Sequence, residues 1–282
     1  MRKKIFIGVV AGLFLVIWLL YSVFKYAPYF HVIFFDVGQA DASLIFFEDG
    51  TKMLVDCGRN RAVLSKLGDY MPFFDRRLDY LVITHFDSDH YGGCAEVLKK
   101  YDVGRVFVNG NEKPDDQYWR TWKKYLDKEG ATSAVPKTGE TMNLGSAEID
   151  FLVLPESLVA LVKQTENNDS IVFKLTYASS SFLFMGDAET SFETAALDFF
   201  CEKNSVLGDV CPAFKADYIK VGHHGSDSSS AEEFLAAVKP KFAVVSVGPN
   251  SFGHPSLRVL KKLERVGAEI WRTDEMGDII VK

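Results

Sequence analysis

The stretch Leu81-Val82-Ile83-Thr84-His85-Phe86-Asp87-Ser88-Asp89-His90-Tyr91-Gly92-Gly93 limits the fold more than any other part of the chain. Its apolar opening reads as a buried strand, and the strand runs out into His85, Asp87, Asp89 and His90. The Gly92-Gly93 pair lets the chain turn into a following helix. Two imidazoles and two carboxylates at a strand end suit Zn²⁺ or Mn²⁺, which accept both imidazole nitrogen and carboxylate oxygen. A helix cap at Asp89 is the plainer reading, but a cap needs one acceptor rather than a row of ligands. The pattern points to a metal-dependent hydrolase.

The N-terminus adds a second constraint. Arg2, Lys3 and Lys4 precede the uncharged run Ile5–Phe24, and Lys25 closes it. A run of that length spans the hydrocarbon core of a bilayer as a helix. Trp18, Tyr21 and Tyr26 suit the interfacial zone at its far end. The basic cluster favours the cytoplasm, so residues 1–28 are expected to be a single-pass anchor in the cell membrane. Residues 29–282 then form an extracytoplasmic domain. A cleaved signal peptide competes with this reading, although no small-x-small cleavage site follows the run.

Composition bounds the partners. Apolar residues make up 48% of the chain, enough for a packed core. The formal charge is −6, and without Arg2, Lys3, Lys4 and Lys25 the remainder has 28 basic against 38 acidic side chains, about −10. A surface of that sign repels polyanions and weighs against extended nucleic-acid binding, though not against a short phosphorylated substrate held by metal. Cys201 and Cys211 lie close enough in sequence to pair if the domain is external. Cys57 and Cys94 read more simply as small buried side chains.

Short apolar strands are expected at 30–37, 42–47, 52–56, 79–84, 105–108, 147–153, 170–177, 181–185, 217–221, 242–247, 269–271 and 278–281. Helical patterns fall at 61–69, 94–101, 117–128, 190–201, 231–238 and 255–265. Early strands follow one another as hairpins and later ones alternate with helices, which predicts two sheets packed face to face with helices outside. Residues 111–116 and 132–139 read as surface loops around a helix carrying Trp119 and Trp122. Those tryptophans are expected to serve packing.

Three further segments deliver reactive groups at strand ends. Phe182–Met185 ends in Gly186-Asp187, where capping of the next helix is the alternative role for the carboxylate. Tyr218–Val221 ends in Gly222-His223-His224-Gly225, and adjacent histidines point different ways, one to a metal and one to substrate or a supporting group. His254 stands before Pro255 at a helix start, as a polar cap or as part of the site. The acids of Asp36–Asp41 and Asp56 are either supports for ligands or turn carboxylates.

Taken together, the chain resembles the metallo-β-lactamase superfamily, and within it the external domain of the ComEC-like DNA-uptake proteins. The similarity runs through Phe35–Asp41, Leu54–Gly58, His85–Gly93, Asn167–Ser170, Gly186-Asp187, Val221–Ser226 and Gly253–Pro255. It implies an α/β (α+β) fold, an αββα sandwich behind an N-terminal transmembrane helix, with a site at one sheet edge holding one or two divalent ions. By resemblance His85, Asp87, Asp89, His90, Asp187 and His224 are the metal ligands, and His223 contacts substrate. Asp87 stands where many members have histidine. Asn168 lies in the region where two-zinc members commonly have another, so the first metal position is expected to be looser.

The expected reaction is hydrolysis of DNA or another phosphodiester. Asp89 binds and orients, His223 offsets charge on phosphoryl oxygens, and His254 assists the leaving group. The anchor suggests an envelope or competence complex, although one span cannot form the many-helix channel of ComEC-like proteins. A hydrolase of another envelope substrate (a phosphorylated wall component, a lactone, a β-lactam) and a metal-poor binding module are the competing classes.

Overall fold

The computed structural model describes residues 29–162, 165–201 and 211–282, together with Val10, Gly12, Leu13, Phe14, Val16 and Ile17. The expected span Ile5–Phe24 lies mostly outside these residues. Among the described residues no helix is long and apolar enough to cross a membrane.

Six strands open the chain: β1 (His31–Phe34), β2 (Ser43–Phe46), β3 (Lys52–Val55), β4 (Arg77–Val82), β5 (Asp102–Phe107) and β6 (Thr132–Ala134). Seven more form the second sheet: β7 (Thr141–Leu144), β8 (Ala147–Phe151), β9 (Phe173–Tyr177), β10 (Ser180–Phe184), β11 (Tyr218–Lys220), β12 (Phe242–Val245) and β13 (Glu269–Arg272). The strand β14 (Ile279–Val281) returns to the first sheet. The sheet orders are β14-β1-β2-β3-β4-β5-β6 and β13-β12-β11-β10-β9-β8-β7. Neighbours from β14 to β3 and from β7 to β10 are antiparallel, and the rest are parallel.

Burial on both faces explains the continuous apolar runs. In β1, Val32 and Phe34 face the inter-sheet core with Phe107, Phe151, Phe173 and Phe184, while Ile33 packs into the layer under the helices. The second sheet repeats the arrangement: Phe182 and Phe184 point inward, Leu183 outward to Phe192 and Phe234. The fold is thus the two-sheet sandwich flanked by helices that the strand pattern implies.

Register places the chemistry at one end. Strands β1, β3 and β4 start at the same end, and β10, β11 and β12 run parallel to one another. Phe30 stacks on Tyr177 with ring centroids 4.0 Å apart, so the starts of β1 and β10 share that end. The segments leaving β4, β10 and β11 therefore emerge together at the other.

Three expectations need correction. The segment 132–139 is not wholly loop, because Thr132–Ala134 pairs in parallel with β5. The helix after His254 begins at Leu257 with Ser256 as its cap, whose hydroxyl accepts from the Val259 N–H at 3.2 Å, so His254 is not the cap. Cys57 and Cys94 are not merely small fillers, since they form a disulfide with Cα atoms 5.1 Å apart. Cys201 and Cys211 are also paired.

Candidate metal centre

Three segments leave the sheet ends and meet. After β4, residues 83–87 leave the sheet, and Ser88–Tyr91 closes into one helical turn. Gly93 permits that turn to lie against the Asp56–Asn60 segment, for a Cβ there would sit 2.3 Å from the Cys57 carbonyl oxygen. After β10, Gly186 has φ +52°, and a Cβ would press on Ser170 and Thr84 at 2.9–3.0 Å. After β11, His223 and His224 take φ of 47° and 52°, a left-handed conformation uncommon outside glycine. Non-glycine residues hold such angles only where their surroundings impose them, often at functional sites.

The imidazoles and one carboxylate converge. His90 Nε2 lies 3.1 Å from Asp187 Oδ1, and His224 Nε2 lies 3.8 Å from Asp187 Oδ2 and 3.7 Å from Asp89 Oδ2. His85 and His90 have ring centroids 4.2 Å apart. Ligand atoms of His85, His90 and Asp187 all lie within 4.8 Å of one another, as do those of Asp89, His90 and His224. The four residues His85, His90, Asp187 and His224 are at most 3% exposed. Yet among the described residues His85 Nε2, His90 Nε2, His224 Nε2 and Asp187 Oδ1 have no hydrogen-bond partner. Buried polar atoms are normally paired, so orphans gathered around Asp187 and His90 ask for a cation.

Supporting groups turn these atoms inward. His90 Nδ1 donates to Asp56 Oδ2 at 2.8 Å, and Asp56 is itself held by the backbone N–H and hydroxyl of Thr84, both at 2.8 Å. His224 Nδ1 donates to the Ser246 carbonyl at 2.8 Å. Each bond leaves Nε2 with its lone pair toward the centre. Asp41 lies 3.4 Å from His224 Nδ1 and pairs with the buried Lys220 ammonium at 2.6 Å. Of the early acids, then, Asp41 and Asp56 support ligands, whereas Asp36 accepts from the Gly38 N–H two residues on, as a turn carboxylate does.

The electrostatics are those of an anion-rich cavity. Burial alone disfavours charge on His90, but Asp187 and Asp56 outweigh it and raise its proton affinity well above the ordinary histidine value. His224 is raised in the same sense against its burial, by Asp187 and Asp41. Burial pushes the Asp89 carboxyl up, and the His224 and His90 imidazoles bring it down to about 2. Surroundings that favour a proton on these rings favour a dication in its place.

The remaining expected residues sit around this cluster. Asp87 has one oxygen 3.6 Å from His85 Nε2 and the other 3.0 Å from the Lys113 ammonium. His223 is a quarter exposed, with Nδ1 3.1 Å from Glu189 Oε1 and Nε2 4.0 Å from Asp187 Oδ2. His254 stacks edge-on to His223 with centroids 5.4 Å apart, and its Nδ1 is buried without a partner. Asp187 does not cap the next helix, which starts at Thr190 behind Glu189. Asn168 is turned away: its amide donates to Ser191 Oγ, Thr165 Oγ1 and the Val162 carbonyl, and its oxygen accepts from the Glu189 N–H. Sequence reasoning passed over Lys220 and Lys113. A lysine inside the buried run of β11 was the available signal for the first, and Lys113 was hidden in an expected surface loop.

Comparison with known proteins agrees with this geometry. Residues 35–248 match the family described as the Metallo-beta-lactamase superfamily. ComE operon protein 3 of Bacillus subtilis is 30% identical over 266 residues, covering 86% of this chain and 32% of its own. Competence protein ComA of Neisseria gonorrhoeae is 28% identical, covering 72% and 25%. The chain thus spans about a third or less of these curated relatives. Among solved structures, the metallo-beta-lactamase fold protein YhfI from Bacillus subtilis superposes with a TM-score of 0.55 at 14% identity, covering 89% of this chain and 99% of its own. CmlA, a diiron beta-hydroxylase from Streptomyces venezuelae, does so with 0.56 at 17%, covering 89% and 54%. The chain belongs to the metallo-beta-lactamase superfamily, and its competence-protein relatives are those of a ComEC-like member.

Proposed function

We propose that the protein is a membrane-anchored, metal-dependent phosphodiesterase or nuclease that serves DNA uptake. The observation that carries the metal-dependent reading is the gathering of three buried, unpartnered imidazole nitrogens around the Asp187 carboxylate. That donor set fits Zn²⁺ or Mn²⁺, with His85, His90, His224, Asp89 and Asp187 as the holders. A divalent ion held by these residues would lower the pKa of bound water to about 7 and offset charge on a phosphoryl oxygen.

The chain's own groups complete the chemistry. Asp89, kept ionised, turns one oxygen toward His224 and shares it with Arg59 at 3.3 Å, which fixes the direction in which it accepts a proton. Glu189 holds His223 at Nδ1, leaving Nε2 to donate to a non-bridging oxygen when the ring is protonated. His254, beside it at the rim, is placed to give a proton to the departing oxygen.

Two features support anchoring and an external domain. Disulfides such as Cys57–Cys94 and Cys201–Cys211 persist in oxidising compartments. Residue 29 enters β1 at the end of the sandwich remote from the candidate centre. The loop before β4 exposes Phe73 and Phe74 at 72% and 66% on that same end. An anchor preceding residue 29 would therefore leave the centre facing away from the lipid. The competence proteins among the relatives support the link to DNA uptake.

The test is elemental analysis of the purified protein followed by a panel of a chromogenic phosphodiester, single-stranded DNA and a chromogenic β-lactam, each with Mn²⁺ or Zn²⁺. Metal-dependent turnover of the first two is expected. Asp187→Ala, and His85→Ala with His90→Ala, should abolish it while the folded circular-dichroism signal remains. Full turnover in those variants, or turnover of the β-lactam alone, would refute the assignment.

A further inference from the structure

We infer that this centre binds a single divalent ion, and that the ammonium of Lys113 takes the place of a second one beside Asp87. The inference rests on the metal-dependent reading above and concerns how many ions the residues accept.

The centre has two sides. On one, His90, Asp187, His224 and Asp89 face one another with unpartnered nitrogen and oxygen atoms. On the other, beyond His85, lies the Asp87 carboxylate, one oxygen of which is already matched with a cation. Lys113 Nζ donates to Asp87 Oδ1 at 3.0 Å, to the Phe86 carbonyl at 2.6 Å, and pairs with Glu166 Oε2 at 2.5 Å. An ammonium has three hydrogens, so these contacts use all of them. Lys113 is a fixed charge rather than a free arm sweeping the pocket.

Asn168 removes the other way to build a second position. Both its amide hydrogens and its oxygen are spent on Val162, Thr165, Ser191 and Glu189. On that side His85 Nε2 faces the second Asp87 oxygen at 3.6 Å and lies within reach of His90 and Asp187. An ion held by His90 and Asp187 can therefore take His85 as a ligand. A second dication would have to share Asp87 with a lysine that already neutralises it, with one imidazole to hold it. An ammonium on that site also needs no loading, so the charge there is permanent and independent of metal supply.

The experiment is a metal count on the full chain in detergent, loaded with Mn²⁺, dialysed, and read by elemental analysis and by electron paramagnetic resonance. One ion per chain with an uncoupled Mn²⁺ spectrum is expected. Lys113→Met should uncover Asp87 and raise the count toward two, with the spin-coupled spectrum of an ion pair. Asp87→Asn should leave the count at one, whereas Asp187→Asn should reduce it to zero. Two ions in the unaltered protein, or loss of an ion in Asp87→Asn, would overturn the single-ion centre. An unchanged count in Lys113→Met overturns the role given to Lys113, and if that variant does not fold, Asp87→Asn still decides. No ion at all in the unaltered protein defeats the metal-dependent reading itself, a different failure from finding two.

Discussion

Glu193 is the buried acid whose charge the site does not use. Its carboxylate accepts from the Ser230 and Ala231 N–H groups at 2.8 and 2.7 Å, yet burial pushes its pKa up to about 7. Unfolded, it would titrate near 4.5. Between those values the folded chain keeps a proton that the unfolded chain releases, so stability from this group falls as pH rises from about 4.5 to about 7. The slope is at most about 1.4 kcal/mol per pH unit. Denaturation midpoints of Glu193→Gln, compared with the parent at pH 5 and pH 7.5, should lack that decline. Asp56 is a second residue with a measurable role. Asp56→Asn should weaken Mn²⁺ binding about 10–100-fold, read by titration calorimetry, because the amide has one accepting oxygen where the carboxylate has two and cannot hold both Thr84 and His90. The ligands themselves were legible because histidine and aspartate are rare at the ends of apolar strands, and His85, His90, Asp187 and His224 all stand there. Lys220 is legible only as a lysine inside a buried run, and Lys113 not at all, since a lysine in a loop announces nothing until a distant carboxylate such as Asp87 is brought beside it.

Strands buried on both faces write themselves as apolar runs, which is why β1 to β5 and β8 to β12 could be read from composition alone. The edge strands β6 and β7 could not, since Thr132-Ser133-Ala134 and Thr141-Met142-Asn143-Leu144 carry half-exposed polar side chains. Nor could the Cys57–Cys94 pairing, for a sequence separation of 37 hides that the two elements touch. That bond ties the residue after Asp56 to the residue four beyond His90, and so clamps both partners of one supporting hydrogen bond. Closing a loop of that length stabilises by about 3–4 kcal/mol in the chain-entropy account. Replacing both cysteines with alanine should lower the unfolding free energy in urea by that order. Gly93→Ala at the same contact should cost more than an ordinary helix substitution, since the new methyl meets a backbone carbonyl that cannot move aside. Its thermal unfolding measured beside that of Gly68→Ala, where nothing lies within 4 Å, checks this.

At the scale of the whole molecule the two sheets give the centre one wall each, His85 to His90 from the first, Asp187 and His224 from the second. Neither half alone holds a complete ligand set, which is why the two-layer packing was needed before spacing in sequence could become a site. The first sheet has a further dependence. Its strand β1 is flanked by β14, and the Asp36 N–H donates to Asp278 Oδ1 at 2.7 Å across 242 residues of sequence. Asp278 also takes the Tyr70 hydroxyl at 3.0 Å and the Lys66 ammonium at 2.8 Å. During synthesis on a ribosome, then, β1 waits with its outer hydrogen-bonding row bare until residues 279–281 have emerged. Open rows of that kind recruit other strands. A chain halted after residue 276 should consequently accumulate as aggregate rather than as a slightly weakened domain, and light scattering of the two lengths at matched concentration would reveal it.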